Sequence, residues 1–211
     1  MDEHDWKQEI THHRNPVRII NLTDAVFAII MTLLVLEIKI PEELPRSVES
    51  TISVYGTQLI SFIMSFALAA VYWMSHRLIF SNVKQIDTTL LWLNIVLLMI
   101  ASLIPFVAGL LGSFPLEPSS LIFYAIVLTL LATVRLVMFI YVTSNKELLY
   151  SSIAVTIRSR IIIAMSAAVF SFFVSIFVAS YYPRIAFLSC AFTPVLFMIL
   201  VTKVSRPRSS P

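Results

Sequence analysis

The chain has 211 residues, of which 58% are hydrophobic and 13% charged, and its mean hydropathy is +0.89. Soluble domains average about 45–50% apolar and about 25% charged residues, so this composition argues against a soluble enzyme. Three glycines leave no glycine-rich phosphate loop, and the single cysteine, Cys190, excludes a disulfide framework and a cysteine zinc site. The composition instead indicates an integral membrane protein.

Six apolar stretches are long enough to cross a hydrocarbon core of about 30 Å as helices, which takes about 20 residues each. Prolines and small polar residues separate them. The first stretch is too long for a cleaved signal peptide, so we expect it in the mature protein. The predicted fold is all-α, with cytoplasmic tails at 1–16 and 205–211 and a transmembrane domain at 17–204, whose spans are 17–40, 51–80, 88–111, 119–143, 158–181 and 183–204.

The distribution of lysine and arginine predicts the orientation of these spans. With the N-terminus inside, the inner segments carry eleven basic residues: Lys7, Arg14, Arg18, Arg77, Lys84, Lys146, Arg158, Arg160, Lys203, Arg206 and Arg208. The outer segments carry three, which are Lys39, Arg46 and Arg184. We therefore expect a multi-pass protein of the cell (inner) membrane with both termini cytoplasmic. The basic net charge then follows from membrane topology, and no nucleic-acid partner is expected.

Four polar residues fall at a similar depth in the inner half of the membrane: Asp24, His76, Asn94 and Arg135. Polar groups in hydrocarbon are costly and usually face a partner, a cavity or a pathway. One interpretation is a proton or ion relay through Asp24 and His76. The other is a hydrogen-bonded network that holds helices together. For Arg135 the sequence leaves open whether it joins this network or extends to the inner surface.

The first span carries an apolar seam, which we define as Leu22, Val26, Ile29, Leu33 and Leu36. Its 4-3-4-3 spacing is typical of helices that associate in bundles. At about 100° per residue, Asp24 projects about 140° away from Ile29, whereas Thr32 lies about 60° from it, beside the seam. On periodicity alone, contact with lipid or with the protomer's own core is the favoured explanation of the seam.

The first half of the chain resembles a known family. The run Arg18-Ile-Ile-Asn-Leu22-Thr23-Asp24 is similar to the Arg-x-x-x-Phe-Ser-Asp signature of the transmembrane protein 175 potassium channels. Further similarity lies in the continuation from Ala25 to Ile38, in Tyr72-Trp73-Met-Ser-His76-Arg77, and in Asp87, Leu91-Trp92-Leu93-Asn94 and Pro105-Phe106. Leu22 and Thr23 depart from the signature, so a phenyl ring is lost while a hydroxyl is kept. The second half resembles the family in its span count.

The resemblance implies a homotetrameric channel of the bacterial single-repeat type that selects potassium over sodium. The family lines its central pore with the first helix of each subunit and has no carbonyl filter. Its aliphatic constriction corresponds here to Ile29, Leu33 and Leu36, beside a selectivity-linked threonine at Thr32. The positions that hold the first helix correspond to Arg18, Thr23, Asp24, Trp73, His76 and Asn94. No cofactor or resident metal is implied, since potassium occupies the pore only transiently.

Such a constriction suggests a physical mechanism. A narrow aliphatic ring holds water poorly and closes by dewetting. When it opens slightly, an ion sheds part of its hydration shell, which costs potassium less than sodium. Hydroxyls at Thr32 could replace some of the lost water. The outer carboxylates Glu37, Glu42 and Glu43 could concentrate cations at the mouth, although acidic loop residues usually form a solvated surface.

Other functions stay open at this point. A proton channel or proton-coupled transporter would use Asp24 and His76, and a neutral residue at Asp24 would then abolish flux without preventing assembly. A membrane enzyme would need a cluster of catalytic groups, and outside the N-terminal tail only His76 remains among the histidines. A membrane scaffold would conduct nothing. The remaining histidines, His4, His12 and His13, lie in the tail, which we expect to be disordered.

Overall fold

The computed structural model describes residues 16–39, 48–151 and 153–205, and within these ranges the secondary structure is helical. The helices are α1 (Pro16–Leu33), α2 (Val48–Phe80), α3 (Thr88–Ala101), α4 (Ile104–Ser113), α5 (Pro118–Ser144), α6 (Val155–Val178) and α7 (Pro183–Ser205). A 3-10 helix, Leu34–Glu37, continues α1, and a second one, Lys146–Leu148, follows α5. Most of the predicted tails, together with Glu42, Glu43 and Arg46, lies outside the described residues.

Five helical segments are long and apolar enough to cross a membrane. They are Pro16–Glu37, Tyr55–Phe80, Thr88–Ser113, Pro118–Ser144 and Val155–Val178. The sixth predicted span coincides with α7, a helix that contains Pro194, and its membrane crossing stays a prediction. The all-helical, multi-span character inferred from composition is thus present in the part of the chain that the structure describes.

The third span is two helices rather than one. The helix ends at Ala101 and restarts at Ile104, with Ser102 and Leu103 between α3 and α4. Pro105 lies in the first turn of α4, where its missing N–H and fixed φ are tolerated, but it cannot continue the hydrogen bonding of α3. The residues between the helices form backbone hydrogen bonds of a turn, such as the one that Leu103 N donates to Ile100 O at 3.1 Å. The third span is therefore one apolar segment whose helix is interrupted between α3 and α4.

Hydroxyl groups join α2 to its neighbours at one-turn intervals. Thr57 donates to the carbonyl of Gly112 at 3.3 Å, Ser61 donates to the carbonyl of Ala108 at 2.7 Å, and Ser65 lies 3.1 Å from the hydroxyl of Tyr124. Lipid supplies no hydrophobic force between helices, so such bonds and close packing of small residues hold a bundle together. These contacts fix α2 against α4 and α5.

The C-terminal helices pack on α5, which forms extensive contacts with α6, while α6 packs along α7. At the opposite side α1 contacts α2, α3 and α4. The loops that follow α2 and α5 are joined by an antiparallel bridge between Val83 and Leu149. Asn82 strengthens this junction by donating to the carbonyl of Ser151 at 2.7 Å. The fold thereby gives α1 a buried side against α2–α4 and leaves its other side open.

Candidate functional site: the first helix and its anchors

Helix α1 has one buried face and one exposed face. The buried side chains follow a 4-4-3-4 pattern that continues into the 3-10 helix, and they are Ile19, Thr23, Phe27, Ile30 and Leu34. On the other side, Ile29 is 57% exposed and Leu36 is 72% exposed. Leu22 and Leu33 are also exposed, while Val26 is partly buried. Within the part of the chain that the structure describes, the seam except for Val26 therefore lies outside the protomer's core.

Thr32 lies beside the seam and is exposed. Its hydroxyl donates a 2.8 Å hydrogen bond to the carbonyl oxygen of Ile29, one turn earlier. Because the hydroxyl proton is engaged by the backbone, the lone pairs of the oxygen remain available. Thr32 can thus present an acceptor, but not a free donor, on this side of α1.

The carboxylate of Asp24 faces α2 instead of the seam. Trp73 Nε1 donates a 2.8 Å hydrogen bond to Asp24 Oδ1. The guanidinium of Arg77 lies 5.4 Å from the centroid of the Trp73 ring, within the range of a cation–π contact. Asp24 therefore acts as an acceptor that ties α1 to α2.

A second polar contact joins α1, α2 and α3. Asn94 is fully buried, and its Nδ2 donates to Thr23 Oγ1 at 3.1 Å. Asn94 Oδ1 lies 2.8 Å from His76 Nε2, and the ring of His76 stacks on Phe80 with centroids 4.3 Å apart. Both ends of the Asn94 amide are thus occupied, as a buried amide requires. Nδ1 of His76 has no hydrogen-bond partner among the described residues.

The structure brings together five of the six residues expected to hold the first helix, namely Thr23, Asp24, Trp73, His76 and Asn94. Arg18 lies apart from them. It is exposed and lines an open cavity of about 1240 Å³ between the start of α1 and the loops that follow α2 and α5. Other lining residues include Leu22, Asp87 and Lys146.

Arg135 does not extend to the inner surface, because it is 2% exposed. Its Nη1 donates to Ser75 Oγ at 2.9 Å, and its guanidinium lies 4.4 Å from the ring centroid of Tyr72 and 4.1 Å from that of Phe197. These three partners of Arg135 were not predicted from the sequence. The available signal was that Tyr72 and Ser75 are three residues apart and so share a face of α2.

Glu37 packs differently from the solvated carboxylate that the sequence allows. It is partly buried at the end of the 3-10 helix, and its carboxylate contacts Gly109 of α4. Glycine permits this approach because it has no Cβ. The C-terminal end of the first span is thus held against α4. Within the described residues, no group of three His, Cys, Asp or Glu side chains lies close enough to hold a metal ion.

The architecture is that of a multi-pass, all-helical membrane protein. A family model described as "Endosomal/lysosomal potassium channel TMEM175" matches residues 18–105. The chain is similar in fold to the crystal structure of a lysosomal potassium-selective channel TMEM175 homolog from Chamaesiphon minutus, with a TM-score of 0.73 at 24% identity, covering 90% of this chain and 98% of that chain. The resemblance to this family is confirmed, and residues 18–105 carry it.

Two curated relatives carry different channel names. A protein named "Potassium channel Cha6605_3372" from Chamaesiphon minutus is 39% identical over 107 residues, which are 49% of this chain and 52% of that relative. The zebrafish (Danio rerio) protein named "Endosomal/lysosomal proton channel TMEM175" is 25% identical over 141 residues, which are 64% of this chain and 26% of the relative. The alignments thus span about half or less of these relatives, which are ion channels and not enzymes.

Proposed function

We propose that this chain is the subunit of a homotetrameric cation channel that conducts potassium in preference to sodium. The observation that carries the proposal is the exposed seam of α1, which includes Ile29, Leu33 and Leu36 and lies outside the buried face. Four copies of this face around an axis would form an aliphatic constriction. The bacterial relative is named a potassium channel, which supports potassium as the conducted ion.

The conduction mechanism follows from the side chains that the seam presents. Rings of Ile29, Leu33 and Leu36 would hold water weakly and gate the pore by dewetting. In a slightly wider state an ion passes after losing part of its hydration, which costs potassium less than sodium. The Thr32 hydroxyl donates its proton to the Ile29 carbonyl oxygen, 2.8 Å away. Its oxygen can therefore face the ion as an acceptor and replace lost water.

The polar contacts behind α1 have a positioning role in this proposal. The Trp73–Asp24 bond and the Thr23–Asn94–His76 contacts hold the helix against α2 and α3. They fix its rotation, and the rotation decides which side chains project toward the axis. A change of about 100° would replace one residue of the constriction by its neighbour.

We place the channel in the cell (inner) membrane with six spans, including α7, and with both termini cytoplasmic. Support comes from the eleven basic residues on the inner segments against three on the outer ones. In this orientation the cavity beside Arg18 and Lys146 opens toward the cytoplasm.

The alternative is a proton channel or proton-coupled transporter that uses Asp24 and His76. The name of the vertebrate relative, a proton channel, favours it. The contacts weigh against it, because Asp24 accepts from Trp73 and His76 is held by Asn94. Asp24 Oδ1 and His76 Nε2 are therefore each engaged in a bond between helices, whereas His76 Nδ1 has no partner among the described residues.

Flux through liposomes containing the purified protein tests the proposal. We expect potassium-driven flux well above sodium-driven flux. A variant with Ile29→Ala and Leu33→Ala should change the rate or the selectivity, whereas Ile30→Ala, on the buried face, should leave the potassium-to-sodium ratio near that of the wild type. A variant with Ile29→Ala and Leu33→Ala that keeps both the wild-type rate and the wild-type ratio would refute an aliphatic constriction on the seam.

The proton alternative gives a different result in the same assay. Proton flux without potassium flux, abolished by Asp24→Asn in protein that still assembles, would establish it. Absence of any flux in assembled protein would favour a non-conducting scaffold.

A further inference from the structure

Arg135 is buried, and its guanidinium contacts two aromatic rings and a hydroxyl group. The guanidinium lies between the rings of Tyr72 on α2 and Phe197 on α7, and Nη1 donates to Ser75 Oγ at 2.9 Å. These contacts connect three helices, since Arg135 itself belongs to α5. A charged group in hydrocarbon is expensive unless it is compensated, so the geometry of these partners is under strong constraint.

The residues of α2 that contact Arg135 lie in the same turn of the helix that holds α1. Tyr72 and Ser75 face Arg135, whereas Trp73 and His76 contact Asp24 and Asn94. Ser75 also donates to the carbonyl oxygen of Tyr72 at 2.9 Å, which ties the guanidinium to the backbone of this turn. One turn of α2 therefore carries two sets of polar contacts on adjacent faces.

The partners that this turn of α2 contacts in the two sets lie in different halves of the chain. The contacts to α1 and α3 lie within residues 18–105, the part that matches the family model. Arg135 and Phe197 lie outside it, in the C-terminal half. Arg135 thus connects the C-terminal half of the chain to the anchors of α1.

We propose that Arg135 is a positioning residue, which sets the rotation of the Tyr72–His76 turn and through it the orientation of α1. The effect on conduction rests on the proposed channel function, whereas the effect on the turn itself does not. Loss of the Arg135–Ser75 bond would let the turn shift, and Trp73 and His76 would shift with it. The constriction residues on the far side of α1 would then change their projection toward the axis.

Ser75→Ala is the cleanest test, because it removes the bond to Arg135 and keeps the guanidinium between its two rings. Ser81→Ala is a control in the turn directly after the same helix, since the Ser81 hydroxyl donates to the carbonyl oxygen of Leu78 and has no other hydrogen bond among the described residues. Both are made in a background with Trp6→Phe and Trp92→Phe, so that Trp73 is the sole tryptophan. Trp73 fluorescence and near-ultraviolet circular dichroism then report on the turn, and liposome flux gives the potassium-to-sodium ratio.

We expect Ser75→Ala to alter the Trp73 signal and to change the flux ratio by about threefold or more, the size typical of residues that act on a site through others. Arg135→Met should have a larger effect in the same direction, and Ser81→Ala should have neither effect. If Arg135→Met does not fold, Ser75→Ala still decides.

A lower thermal stability of Ser75→Ala with an unchanged Trp73 signal would make Arg135 merely structural and would overturn the proposal. If the wild type conducts no ion, the channel function fails, but a changed Trp73 signal would still support the positioning of the turn. An altered Trp73 signal in folded, conducting protein whose flux ratio stays that of the wild type would refute the link to α1.

Discussion

The indole nitrogen of Trp73 donates a 2.8 Å hydrogen bond to the carboxylate of Asp24, which projects from α1 about 140° away from Ile29 of the seam. An unpaired carboxylate at this depth would be costly, so the bond fixes which face of α1 can be exposed. The apolar character of the exposed face is thus coupled to a polar contact on the other side of the helix.

Trp73→Phe should destabilise the protein, because it keeps an aromatic ring but removes the N–H group that donates to Asp24. A hydrogen bond to a charged group contributes about 1.5–3 kcal/mol. We expect the free energy of unfolding in detergent to fall by about this amount, measured by thermal or denaturant unfolding. Trp92→Phe is the control, since Trp92 is 61% exposed, and it should have little effect. Equal stability of the two variants would contradict the role of the Asp24 bond.

Asn94→Ala should weaken the junction of α1, α2 and α3. The variant leaves the Thr23 hydroxyl and His76 Nε2 without the amide that now joins them. Unsatisfied buried groups cost about 1–3 kcal/mol each, although bonds between helices in membranes average less. We therefore expect a loss of about 1–3 kcal/mol and a smaller assembled fraction by size-exclusion chromatography. Asn21→Ala, at an exposed position of α1, serves as the control and should retain wild-type assembly.

Ile29 and Ile30 are adjacent, and we expect opposite consequences when each is replaced by alanine. Ile30 is 2% exposed, so Ile30→Ala leaves a cavity in the core and should cost about 2 kcal/mol or more of stability. Ile29 lies on the seam, and Ile29→Ala should change ion flux at a smaller cost in stability. Unfolding and liposome flux measured on both proteins check this. A flux change confined to Ile30→Ala would place the constriction elsewhere.

The helical, multi-span fold was predictable because runs of about 20 apolar residues admit few alternatives in lipid. The two-faced nature of α1 was also visible, since Asp24 and Ile29 differ by about 140° on a helical wheel. Periodicity did not decide whether the seam faces inward, because lipid and protein interiors are similarly apolar. Only the packing of Phe27 and Ile30 shows that the opposite face is the protomer's core.

The partners of individual polar residues were less accessible to sequence reasoning. The shared depth of Asp24, His76 and Asn94 placed them near one another, but depth does not define which helices are neighbours. The contact of Arg135 with Phe197 joins residues 62 positions apart on α5 and α7, and it depends on tertiary packing. The break between α3 and α4 was likewise missed, although Pro105 provides a local cause for it.

Two glycines should respond to alanine in opposite ways. A Cβ at Gly112 would lie 3.2 Å from the Cα of Gln58 and 3.5 Å from the Cβ of Ser61, so Gly112→Ala has to push α2 and α4 apart. The displacement would also strain the bond from Thr57 to the Gly112 carbonyl, and we expect a loss of about 1–3 kcal/mol.

At Gly56 a Cβ would meet nothing within 4 Å, so Gly56→Ala serves as the matched control. Alanine favours a helix interior over glycine by about 1 kcal/mol, and Gly56→Ala should therefore be neutral or stabilising. Thermal unfolding of both variants in the same detergent measures the difference. If Gly112→Ala is as stable as Gly56→Ala, the close approach of α2 and α4 at Gln58 does not limit stability.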